Sequence, residues 1–164
     1  MNGPVKRGVP LADEEIFEAD GALRDVCVLS AEAGDWDRVI SALREPEAAE
    51  PQWEVEFSTT HPLGDALLHS GAAALFAALE RSGDSASLSV RIDGIWFTSY
   101  FFDWSEIEFT FDPVDVVGPP EVEVVEDFMR RVGDACGRRV VMTMETSTHH
   151  EGLPALFEYT PGRR

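Results

Sequence analysis

Between Ser87 and Asp112 the apolar and polar positions alternate in three consecutive runs. The first, Ser-Leu-Ser-Val-Arg-Ile, ends at Asp93-Gly94, and the second begins Ile-Trp-Phe-Thr-Ser-Tyr-Phe-Phe. An Asp-Gly pair between β-branched and aromatic residues predicts a two-residue hairpin, because both central positions of that turn take positive φ. Such a loop pairs Ile92 with Ile95, Val90 with Phe97 and Leu88 with Ser99. After a break at Asp103-Trp104-Ser105, the third run sets Ile107, Phe109 and Phe111 on one side and Glu106, Glu108 and Thr110 on the other. The pattern predicts a three-stranded meander with one core face.

The remaining segments divide by period. Asp25–Ala31 is a short apolar run that fits a buried strand. Asp35 suits an N-cap, and Trp36, Val39, Ile40 and Leu43 recur at helical spacing behind it. A Pro-bracketed acidic loop is expected over Glu45–Pro51. Trp53, Val55 and Phe57 then alternate with Glu54, Glu56 and Ser58, the pattern of a half-buried strand. From Asp65 to about Ser82, Leu68, Ala72, Leu75, Phe76 and Leu79 form the stripe of a helix whose interior Gly71 costs about 1 kcal/mol. Pro119-Pro120 opens another helix, with Val122, Val125, Phe128, Met129 and Val132 inward and Gly137 as its stop. Val140–Glu145 is a last strand, and the residues from Ser147 onward read as a loop and tail.

These elements predict an α+β fold: a two-layer sandwich with a mainly antiparallel sheet of about five to six strands and helices on one face. Residues 1–22 read as a loosely held arm that Ile16 and Phe17 could pin. Residues 23–160 read as a single domain, and 161–164 as a tail.

If the apolar positions face the helices, their alternates lie on the other face of the sheet. These are Ser89, Arg91, Trp96, Thr98, Tyr100 and Phe102 from the hairpin, with Glu54, Glu56, Glu106, Glu108 and Thr110 from the flanking strands. Aromatic anchors among polar neighbours are the composition of a protein-binding hot spot, and carboxylates around them select a basic partner. The candidate binding residues are therefore Trp96, Tyr100, Phe102, Glu54, Glu56, Glu106, Glu108 and Arg91. Cover by the N-terminal arm, the C-terminal tail or a second copy of the chain is the plainer account of the same patch.

Charge sharpens this picture. Across 164 residues, 31 Asp and Glu against 13 Lys and Arg give a net charge of −18. A field of that sign repels nucleic acid and anionic membranes, which leaves a basic protein or a second copy as the expected partner. Cys27 and Cys136 lack any framework of spacings and read as small buried hydrophobes. Lys6 and Arg7 are followed by acidic residues, not by an apolar run, so a cytoplasmic location is expected.

Chemical motifs are sparse. There is no Gly-x-Ser-x-Gly elbow, no HExxH, no Cys/His ligand spacing and no Gly-rich phosphate turn after a strand. Of His61, His69, His149 and His150, the last two read as polar residues of a mobile loop. No catalytic residue, metal ligand or cofactor is assigned. The leading expectation is a non-enzymatic, inhibitor- or immunity-like protein that engages a basic protein through its aromatic and acidic face. The alternatives are a homodimeric α+β domain with a small-molecule pocket, or a hydrolase that uses Glu106 or Glu108 with a nearby histidine.

Overall fold

A computed structural model of the chain describes residues 3–44, 53–146 and 150–162. Strand β1 (Lys6–Arg7), helix α1 (Asp13–Ile16), strand β2 (Arg24–Val28) and helix α2 (Ala33–Arg44) come first. Strand β3 (Trp53–Thr59) and helices α3 (Asp65–His69) and α4 (Ala72–Ser82) precede the meander of β4 (Ala86–Ile92), β5 (Ile95–Ser99) and β6 (Ile107–Phe111). Helix α5 (Pro119–Cys136) and strands β7 (Val140–Met144) and β8 (Phe157–Tyr159) follow. The acidic loop expected over Glu45–Pro51 lies outside the described residues.

The fold is α+β, and its sheet is antiparallel at every pairing. It has eight strands among the described residues, in the order β1-β8-β7-β2-β6-β5-β4-β3, where five to six were expected. The two additional strands, β1 and β8, are 2 and 3 residues long. A run of that length carries no readable alternation, and these strands arise from tertiary pairing, β8 against β7 and β1 against β8. The meander has the register set by its turn: Ile92 opposite Ile95, Val90 opposite Phe97 and Leu88 opposite Ser99. Asp93 at φ 46° and Gly94 at φ 89° supply the two positive dihedrals.

One alternate set of strand side chains forms the core with the helices. Phe97 of β5 stacks on Phe128 of α5 at 3.9 Å between ring centroids, and Phe109 of β6 meets the same ring edge-on at 5.4 Å. Trp36 of α2 packs against Phe76 of α4 and Phe101. Each such pair contributes about 0.5–1.5 kcal/mol beyond its buried area. Helix α5 starts on Pro119 and stops at Gly137, whose left-handed φ of 69° lets its N–H reach the Gly133 carbonyl at 2.7 Å.

Three expectations change. The helix foreseen from Asp65 to Ser82 is two helices, because Gly71 sits at φ 95° and turns the chain between them. Asp37 of α2 accepts the Ala72 N–H at 2.8 Å, so a neighbouring helix caps the second piece. Asp35 lies within the first turn of α2 and not at its N-cap. Its carboxylate is buried, accepting from the Glu32 N–H at 2.8 Å and pairing with Arg138 at 2.6 Å. The segment read as a loosely held arm contributes β1 and α1, with Ile16 and Phe17 buried. Arg24 of β2 holds it, donating to the carbonyls of Ile16 at 2.8 Å and Glu18 at 3.0 Å. No helix among the described residues is long and apolar enough to cross a membrane.

Candidate functional site: an imidazole among carboxylates beneath an aromatic rim

Strands β2 and β6 pair with Asp25 opposite Thr110 and Cys27 opposite Glu108. Period-2 geometry therefore puts Asp25, Cys27, Glu108 and Thr110 on one face, and Val26, Phe109 and Phe111 on the core face. Just past β7, the Thr146 N–H donates to Asp25 Oδ2 at 3.2 Å.

His150 lies against the same face, fully buried. Its Nε2 lies 2.8 Å from Asp25 Oδ2 and 3.4 Å from Glu108 Oε2, while its Nδ1 lies 3.0 Å from Glu106 Oε2. Both ring nitrogens face carboxylates, an arrangement that the imidazolium form satisfies by donating twice. Burial opposes the charged ring, but hydrogen bonds to Asp25 and Glu106, with the charge of Glu108, outweigh it and lift the His150 pKa to about 9. Glu108 is pushed up to about 7, first by burial and then by the charge of Asp25, with His150 opposing the rise. Burial likewise raises the Cys27 thiol well above its ordinary value. Glu108 also borders open space.

That space is a cleft of about 870 Å³ lined by Leu23, Asp25, Tyr100, Phe102, Asp103, Glu106, Glu108, Thr110, Glu145 and Thr146. Its rim is aromatic because Phe101 adopts a left-handed φ of 56° just past the end of β5. Phe101 turns into the core, while Tyr100 and Phe102 stack outside at 5.5 Å between centroids. Phe102 is 82% exposed. Trp36 Nε1 donates to the Trp104 carbonyl at 2.8 Å and fixes the loop beneath this rim.

The eight candidate residues fall in three places. Tyr100, Phe102, Glu106 and Glu108 meet at the cleft. Glu54, Arg91 and the half-buried Trp96 form a separate cluster on β3, β4 and β5: Arg91 pairs with Glu54 at 3.4 Å and lies 5.9 Å from the Trp96 ring. Glu56 borders a different depression, beside Arg44, Asp65 and His69. His61 accepts the Leu63 N–H at 3.1 Å, and His69 lies 3.4 Å from Arg44.

His150 overturns its reading as a polar residue of a mobile loop, since three carboxylates hold it on the sheet. His149 lies outside the described residues. Sequence reasoning missed Asp25 and His150, which are 125 residues apart, and the cleft carboxylates Asp103 and Glu145. One signal was present: Asp25 directly precedes the apolar run Val26–Val28, and a charge beside such a run requires a partner. Asp25, Glu108 and His150 also offer ligand atoms that lie within 4.8 Å of one another. Set against protein-family models, curated proteins and solved structures, the chain finds no match.

Proposed function

We propose that the protein is a non-enzymatic binding protein that takes a basic protein partner at this cleft, in the manner of an inhibitor or immunity protein. The observation that carries the reading is the composition of the lining. It includes five carboxylates, Asp25, Asp103, Glu106, Glu108 and Glu145, and among the described residues neither Lys nor Arg, beside the stacked rings of Tyr100 and Phe102. A lysine or arginine side chain entering there meets acceptors on the cleft wall and ring faces at the rim, where cation–π contact adds about 0.5–2 kcal/mol. The net charge of −18 speeds encounter with a partner of opposite sign and makes binding sensitive to salt.

The test is capture from lysate on immobilised protein at low and high salt, run in parallel with the Tyr100→Ala, Phe102→Ala double variant. Both side chains are largely exposed, so the fold should survive the change. The expected result is a basic protein released by salt and bound at least about tenfold more weakly by the variant. Retention of only the chain's own copies, or capture indifferent to the variant, overturns the reading.

A further inference from the structure

We propose that Asp25, Glu108 and His150 form a binding site for a divalent transition metal of the Zn²⁺ class, with Glu106 orienting the imidazole from behind. The convergence of donor atoms carries the inference. His150 Nε2 points between Asp25 Oδ2 at 2.8 Å and Glu108 Oε2 at 3.4 Å. Metal–ligand bonds of about 2.0–2.1 Å in a tetrahedral site set donors about 3.3 Å apart. A small outward shift of Asp25 therefore admits an ion in place of the Nε2 proton.

The surroundings point the same way. Glu106 Oε2 faces Nδ1 at 3.0 Å, and a carboxylate accepting from that N–H leaves the Nε2 lone pair free for a metal, the usual support of a ligating histidine. Thr110 Oγ1, directly across from Asp25 in the β2–β6 register, is shielded from solvent and has no hydrogen-bond partner among the described residues. Such an orphaned hydroxyl is satisfied by a water or ligand held at this wall. Three carboxylates around one imidazole also leave an excess of negative charge that a divalent ion offsets. Asp25 and Glu108 both line the cleft, so the fourth position opens to solvent or to a ligand there. The mixed nitrogen and oxygen donors suit Zn²⁺, whereas Mg²⁺ and Ca²⁺ favour oxygen alone.

The test is calorimetric titration of the chelator-treated full chain with ZnCl₂ at neutral pH, with native mass spectrometry of the product. One bound ion per chain is expected. Glu108→Gln, half-exposed and isosteric, should weaken binding by roughly tenfold or more while circular dichroism stays native. The double variant His61→Ala, His69→Ala, which alters histidines elsewhere, should bind as the parent does. Absence of binding at about 1 mM Zn²⁺ overturns the site. So does a folded Glu108→Gln protein with parental affinity, or loss of binding in the His61, His69 variant.

Discussion

Two regions of the sheet face that points away from the helices, one toward the β3 edge and one on the central β2–β6 pair, carry the same kinds of residue and use them differently. At the β3–β5 end, Glu54 and Arg91 pair at 3.4 Å with both side chains well exposed, and water screens what they gain. At the β2–β6 pair, Asp25, Glu106 and Glu108 surround an imidazole that solvent does not reach. The difference comes from His150, a residue beyond β7 that lies against the central pair and not against the β3 edge. A glutamate at an alternate strand position is therefore a solvated ornament or a buried charge according to what a distant segment lays over it.

Removing the imidazole breaks this contrast most sharply. His150→Ala leaves Asp25 and Glu106 facing each other without their shared donor, and should cost about 3–5 kcal/mol of unfolding free energy in urea titration. Next in size is pH. The folded pKa of His150, about 9, lies above its ordinary 6.5, so its contribution is complete below about 6.5 and disappears as pH rises through 9. Metal-free protein should lose on the order of 3 kcal/mol over that window, and substitution of His150 should remove the slope.

Glu108 gives a smaller effect at lower pH. Its carboxyl is raised from 4.5 to about 7, so the folded state binds the proton more tightly and stability falls as pH rises between those values. Glu108→Gln should flatten that portion of the curve and, in the metal-free protein above neutrality, stabilise by about 1 kcal/mol. Because His150 and Glu108 titrate as partners, the two effects should fall short of additive in the double variant. Toward the β3 edge, Arg91→Ala should change stability by no more than about 0.5 kcal/mol, and less still in high salt. A loss there comparable with that of His150→Ala would erase the distinction between the two regions.

The sequence made legible whatever local chemistry dictates. Asp93-Gly94 set the hairpin register, and Pro119-Pro120 and Gly137 bounded α5. Gly71 was visible as a weak point of a helix, but only the packing of α2 beside it, through Asp37, made it a break. Strand β1 depends on β8 near the far end of the chain, and β8 in turn on pairing with β7. The candidate site divides in the same way. Tyr100, Phe102, Glu106 and Glu108 were found because period and residue type single them out. Their joining to His150 was not, since it requires a closure of 44 residues from Glu106 that no local pattern encodes.

Strand β3 ends the sheet with 7 residues and no neighbour beyond it among the described residues. A bare β-edge of that length is a template on which other chains can stack, the first step toward fibrils. Glu54 and Glu56 stand along it, so two copies approaching edge to edge would bring like charges together. The edge thus polices its own species at high concentration while remaining open to a lysine-bearing strand, and neutralising both glutamates would turn a guarded border into a seed for aggregation.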